Sequence, residues 1–197
     1  MGEFVFNEEI HRYTLDGVVL PSVTQILKPL YDFSAVNPDV LARAAAFGTA
    51  VHKTVELYLH DDLNEADLDE NLRGPLNAFK QWCSDKPSLA SGIVNIEKPG
   101  YHAKLKYAGT PDLEGDFVAD LKSRKCNPFV DALQLLMYDH MTGNGKRFHL
   151  VIELKQDGTY VQTMLNHTDK ERKQNWLRCR YLLDYYNMGE ELKRWKM

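Results

Sequence analysis

A chain of 197 residues that is 44% hydrophobic and 26% charged has the composition of a folded domain, which excludes collagen-like repetition and wholesale disorder. Such a length buries roughly 70% of its unfolded surface and suits one domain over residues 1–197, and no apolar run approaches the ~20 residues that span a bilayer. The net charge of −4 argues against indiscriminate nucleic-acid binding but leaves room for a local basic track.

In chain order, Met1-Gly2-Glu3-Phe4 carries neither a basic region nor an apolar signal core, so a cytoplasmic location is expected, the host's cytoplasm if the chain is phage-encoded. Residues 4–13 alternate loosely and predict a first strand. Asp16-Gly17 is a hairpin signal with Val18–Leu20 as the return. Ser22 and Gln25 have capping-box spacing and open a short helix that Pro29 should end. A long helix is predicted from about Pro38 to Leu59, with Leu41, Ala45, Gly48, His52, Val55 and Leu59 on one face. Asp61-Asp62-Leu63-Asn64 breaks it, and Leu72–Trp82 reads as a further helix.

After Pro87 the texture turns to strands: 93–96, 101–107, 110–113 and 117–122, with Glu114-Gly115-Asp116 turning between the last two. Pro128–Met141 returns to helical spacing. Strands 147–154 and 159–165 flank Asp157-Gly158, a strong hairpin signal. Thr168 and Glu171 form a second capping box, opening a helix to about Tyr186, with Gly189 just past its end and a charged tail from Glu190. Helices, strands, a crossover helix, a hairpin and a closing helix predict an α/β fold with helices on both faces of a central sheet. The cysteines, Cys83, Cys126 and Cys179, are far apart and form no CxxC pair, so neither a zinc knuckle nor a four-cysteine iron–sulfur cluster is supported.

Chemistry concentrates around Gly109-Thr110-Pro111-Asp112 and Asp120-Leu121-Lys122. Period two puts Asp120 and Lys122 on one face of a strand and Leu121 on the other. A short turn brings Asp112 beside them. Two carboxylates there suit Mg²⁺ or Mn²⁺, which prefer oxygen ligands. The ammonium can orient or deprotonate a water, or stabilise developing phosphate charge. His52 and Glu56 share a helix face at i,i+4, as do Gln134 and Tyr138. Gly48, one turn before His52, weakens its helix and calls for close approach of a neighbouring strand or of DNA.

Gly48-x-x-x-His52, Gly109-x-x-Asp112, Asp120-x-Lys122 and Gln134-x-x-x-Tyr138, in that order, resemble the PD-(D/E)xK nuclease superfamily, and within it the RecB-type and phage-exonuclease branch. Residues 21–27 are also similar to a stretch near the start of phage exonucleases and the mitochondrial genome maintenance exonuclease. The resemblance implies a restriction-endonuclease-like core with a central mixed β-sheet flanked by helices. It implies that Asp112 and Asp120 are metal ligands, with His52 as a further ligand and the Leu121 carbonyl completing the shell. Lys122 would position the attacking water, Glu56 would be the acidic residue of the His52 helix, and Gln134 and Tyr138 would orient DNA or the water. Ser22 and Thr24 would contact a phosphate, unless they simply cap their helix.

A DNA track is expected from Lys104, Lys106, Lys122, Arg124 and Lys125 beside the site, and from Lys170, Arg172, Lys173, Arg178 and Arg180 on the last helix. Tyr31, Phe33 and Trp82 are candidates to stack bases. The reading is a metal-dependent deoxyribonuclease using Mg²⁺ or Mn²⁺ and acting at single- or double-stranded DNA ends in recombination or repair, with room for a homo-oligomer or a recombination partner protein and no membrane role. A structure- or site-specific endonuclease, or an inactive binding module on the same scaffold, are the alternatives.

Overall fold

The computed structural model describes residues 2–143, 145 and 147–195. Three short strands come first: β1 (Phe4–Asn7), β2 (Arg12–Leu15) and β3 (Val18–Leu20), an antiparallel meander. Residues 4–13 thus form two strands rather than one, because a turn intervenes in which His11 takes φ of 45°. Asp16 and Gly17 both have positive φ, as a tight hairpin turn requires. Helix α1 (Val23–Leu27) follows, opened by the predicted box: Gln25 N–H donates to Ser22 Oγ at 3.1 Å, and Ser22 N–H to Gln25 Oε1 at 2.9 Å. A 3₁₀ turn over Lys28–Leu30 contains Pro29.

Helix α2 (Pro38–Leu59) has the predicted bounds, with Asn37 capping it. Its apolar stripe is buried only towards its C-terminal half: Val51 and Val55 are in the core, whereas Leu41 is exposed. Helices α3 (Glu70–Asp85) and α4 (Pro87–Ala90) complete this helical part. Strands β4 (Asn95–Ile96), β5 (Gly100–His102), β6 (Tyr107–Gly109), β7 (Leu113–Glu114) and β8 (Phe117–Lys122) follow. Residues 101–107 are not one strand: Lys106 takes φ of 54°, its N–H donates to the His102 carbonyl at 2.8 Å, and β5 and β6 form a hairpin. Residues 110–112 are irregular, so the strand expected over 110–113 begins only at Leu113.

Helix α5 (Pro128–Thr142) then crosses over to β9 (Phe148–Leu154), which lies parallel to β8, and β10 (Tyr160–Leu165) turns back beside β9. The central sheet has the order β10-β9-β8-β7-β4, mixed in direction. Helix α6 (Asp169–Trp195) runs nine residues past the expected end and straight through Gly189, whose missing side chain costs only about 1 kcal/mol relative to alanine. Among the described residues, no helix is long and apolar enough to cross a membrane.

Alternation along the strands sorts the core onto two faces. Val118 and Val151 pack with α1, α5 and α6, whereas Phe117, Ala119, Leu121, Leu150 and Ile152 pack with α2 and α3. A sheet covered on both sides reads as a nearly continuous apolar run, as β9 does. Trp82 is fully buried against Phe79, and its indole N–H donates to Gln162 Oε1 at 2.7 Å. It therefore cannot stack a base, and that expectation is corrected.

An ionic cluster locks α5 to the sheet and α6. Buried Asp139 accepts from Arg147 Nε at 2.7 Å and meets His149 Nε2 at 3.0 Å, while Arg147 also pairs with buried Glu114. Arg172 donates to the carbonyls of Gly145 and Arg147, so this guanidinium is committed inside the fold rather than to a DNA track.

Candidate metal centre

The site lies where β8 leaves the sheet, between α2 and α5. Strand β7 pairs Leu113 with Ala119 and Glu114 with Val118. Continued by two residues, that register would set Pro111, which has no N–H, opposite Leu121. The ladder ends instead, and the Asp112 carboxylate takes over: Oδ2 accepts the Leu121 N–H at 2.5 Å. The same register sets Asp112 opposite Asp120, so two carboxylates face each other at the strand ends. Like charges in that position are destabilising unless other groups neutralise them.

Neutralisation comes from both sides of the sheet. From α2, His52 directs Nδ1 to Asp112 Oδ1 at 3.3 Å and to Glu97 Oε1 at 3.4 Å, with Nε2 2.9 Å from the Leu121 carbonyl oxygen. Within β8, Lys122 Nζ forms an ion pair with Asp120 Oδ2. From α5, Gln134 bridges this pair, accepting from Lys122 Nζ at 3.3 Å and donating to Asp120 Oδ1 at 3.0 Å. Its amide also donates to the Tyr138 hydroxyl at 3.3 Å. Asp112, Asp120, Gln134 and Tyr138 are all buried.

Burial works against charge on His52, but the carboxylates of Asp112 and Glu97 outweigh it and hold the imidazole well above its usual pKa. Burial, with Asp112 nearby, pushes Glu97 up to about 7. Asp120 is pushed up to about 6 by burial, against the pull of Lys122. Asp112 stays below the ordinary carboxylate range because His52, Lys122 and the Leu121 N–H offset its burial. Tyr138, raised by burial and both aspartates, remains a phenol. Three carboxylates thus crowd two cationic side chains, leaving a surplus of negative charge.

A divalent cation fits this surplus. His52, Glu97 and Asp112 each present a ligand atom, all within 4.8 Å of one another. Among the described residues, buried Asp120 Oδ2 has no hydrogen-bond partner and meets the ammonium of Lys122 as an ion pair. A set rich in oxygen with one imidazole suits Mg²⁺ or Mn²⁺ better than a thiolate-seeking metal.

Other expected residues are placed as follows. Glu56 lies one turn beyond His52 and accepts from Lys53 Nζ at 2.8 Å. The Leu121 carbonyl has one of its two lone-pair directions taken by His52. Ser22 is buried and its hydroxyl is committed to the cap and to Thr24 Oγ1, at 3.0 Å, while Thr24 itself is exposed. Arg124 is held by buried Asp131 at 2.7 Å. Lys122, Arg124 and Lys125 line one cavity of about 460 Å³ with Lys155. Lys104 and Lys106 lie on the β5–β6 turn, and Lys104 lines a different cavity. Tyr31 and Phe33 stack with ring centroids 5.5 Å apart, near enough to Lys122 and Arg124 for both charges to pull against the rise that burial causes in Tyr31. A Cβ on Gly48 would sit 3.6 Å from Ser123 Oγ, an ordinary contact, so protein packing does not require that glycine.

Glu97 is the residue that sequence reasoning missed. It follows the two-residue β4 with φ of 44°, and its N–H donates to the Asp112 carbonyl at 2.9 Å. The available signal was a carboxylate at a strand end just before Pro99-Gly100.

A mixed α/β fold with a candidate divalent-metal centre at a sheet end is the class these features define. No family model and no curated protein matches the chain. Among solved structures, the chain is similar to an alkaline exonuclease from Laribacter hongkongensis, at 12% identity and a TM-score of 0.37, over 59% of this chain and 69% of that one.

Proposed function

We propose that the protein is a metal-dependent deoxyribonuclease of the PD-(D/E)xK kind, an exonuclease of the RecB-type and phage-exonuclease branch that hydrolyses phosphodiester bonds from DNA ends. The observation that carries this reading is the meeting of His52, Glu97 and Asp112, from three separate segments, with the Asp120–Lys122 pair at the facing strand end. His52, Asp112 and Asp120 would hold Mg²⁺ or Mn²⁺, with Glu97 as a further ligand and the free lone pair of the Leu121 carbonyl available. A bound cation supplies Lewis-acid stabilisation of phosphate charge and lowers the pKa of a coordinated water.

The chain's own groups do the rest. Lys122, fixed by Asp120 and Gln134, holds its ammonium where a scissile phosphate would enter from the basic cavity. There it orients the attacking water and offsets the charge that develops on phosphorus-bound oxygens. Gln134 fixes the direction of Lys122, and the Tyr138 phenol holds Gln134. Arg124, Lys125 and Lys155 would track the backbone of the strand, Lys104 and Lys106 would extend that track, and the Tyr31–Phe33 pair would stack bases near the terminus.

Digestion of end-labelled linear DNA, single- and double-stranded, with Mg²⁺, Mn²⁺ or EDTA and beside a covalently closed circle, tests this. Metal-dependent loss of linear DNA with the circle spared is expected. Cutting of the circle would make the protein an endonuclease, and no cleavage with either metal would refute the catalytic reading.

A further inference from the structure

The second cavity, about 550 Å³, is separate from the metal centre and lies where the β5–β6 turn meets α5 and α6. Its wall is aromatic. His140 stacks on Trp176 with centroids 3.7 Å apart, and the His102 ring is stacked 20° from parallel to Trp176 at 6.3 Å. Tyr101 adds a fourth ring. Its rim is cationic: Lys104 and Arg180 are both exposed, and their charges disfavour protonation of His102, which burial already holds low. Among the described residues, none that lines the cavity is acidic, in a chain whose net charge is −4.

A flat aromatic face with two exposed cations lining the same cavity matches a nucleobase that carries a phosphate. Stacking holds any base, and the cations hold the backbone or a terminal phosphate. The cavity lies on a different face of the helix that carries Gln134: Gln134 faces Asp120 of β8, whereas His140 faces Trp176 of α6. Gln134 and His140 lie on the same helix, six residues or about 9 Å apart along its axis. The Tyr107 hydroxyl donates to the Met137 carbonyl at 2.9 Å, which fixes the hairpin that carries Lys104 against that helix.

We propose that this cavity is a nucleotide subsite: Trp176 and His140 stack a base, and Lys104 and Arg180 hold its phosphate. The inference rests on the nuclease reading for its biological setting, but its chemistry stands apart from catalysis. The occupant is either one nucleotide of a bound strand or a released mononucleotide.

The test is binding in EDTA, where cleavage is silent. Trp176 emission is followed, as the difference between wild type and Trp176→Phe, during titration with (dT)₆, 5′-dTMP, thymidine, inorganic phosphate and polyglutamate. Quenching by (dT)₆ or 5′-dTMP is expected, weakening as salt rises, with affinity at least tenfold lower in Lys104→Ala/Arg180→Ala. Binding of (dT)₆ alone marks a strand subsite, and equal binding of 5′-dTMP marks a product site. No quenching by either nucleotide, an unchanged affinity in the double variant, or equal binding of thymidine or polyglutamate would overturn the proposal. Wild-type cleavage with metal is measured alongside. Cleavage without quenching sinks only the subsite, and quenching without cleavage sinks only the nuclease reading.

Discussion

His52 Nε2 lies 2.9 Å from the carbonyl oxygen of Leu121, sixty-nine residues further along the chain, while the other ring nitrogen faces Asp112 and Glu97. The bond fixes which nitrogen is free: Nε2–H donates to the strand, so Nδ1 is the one presented to a cation. Such outer contacts typically change metal affinity about 10–100-fold when lost. His52→Ala is therefore expected to weaken Mn²⁺ binding by at least that factor. The check is the rise in Tm on adding Mn²⁺, which should be clear in wild type and nearly absent in the variant.

Asp120→Asn keeps the shape of the buried side chain and removes its charge. Cleavage is expected to fall by about 10²–10³-fold or more, as when one preorganised electrostatic group is lost. The Tm of the metal-free protein should hold or rise, because the replaced carboxylate is buried and strained towards protonation. Lys122→Ala should be equally inactive. Single-turnover cleavage and a thermal melt on the same samples separate the two effects.

Gly109 has a steric reason to be glycine. A Cβ there would stand 2.7 Å from Tyr138 Cε1 and 3.3 Å from Val23 Cγ2. Gly109→Ala should cost about 1–3 kcal/mol through overpacking. It should also lower cleavage, because the displaced Tyr138 ring no longer steadies Gln134. Urea denaturation and a cleavage assay read these separately.

The cluster around Asp139 predicts acid sensitivity. Burial holds His149 below its ordinary pKa of 6.5, although Asp139 pulls the other way. The folded protein therefore binds fewer protons than the unfolded chain, and stability falls as pH drops from about 6.5. Asp139, kept below 3.8 by His149 and Arg147 despite burial, adds a further loss only at lower pH. His52, shifted upwards, acts in the window above 6.5. Glu97 and Asp120, raised to about 7 and about 6, take up protons in the folded state as pH falls through this window and offset part of the slope, so the His149 contribution is read as the difference between wild type and variant. His149→Asn should flatten the fall in Tm between about pH 6.5 and 5. Some slope should remain from His102 and His140, which burial also holds low. Asp139→Asn should cost about 3 kcal/mol at neutral pH by breaking a buried ion pair.

Local chemistry made much of the fold legible. The Ser22–Gln25 and Thr168–Glu171 boxes each form both reciprocal bonds, and α2 and β8 have the bounds their patterns predict. Positive φ at His11 and Lys106 was not legible, since neither residue signals a turn, and each split one expected strand into two. Gly189 misled because a glycine inside a helix costs only about 1 kcal/mol relative to alanine, too little by itself to end α6. At the site, period two correctly grouped Asp120 with Lys122, and i,i+4 spacing grouped Gln134 with Tyr138. Glu97 escaped because only a long-range bond to the Asp112 backbone carries it there. Arg172 and Trp82 looked available for DNA because sequence shows charge and aromaticity but not burial.

Titration of free Mn²⁺ by electron paramagnetic resonance, on wild type and on Asp112→Asn, tests most directly whether these distant groups make one metal centre. The account predicts tight, saturable binding by wild type and an affinity at least tenfold lower in the variant. Equal affinities, or no saturable binding in wild type, would contradict it.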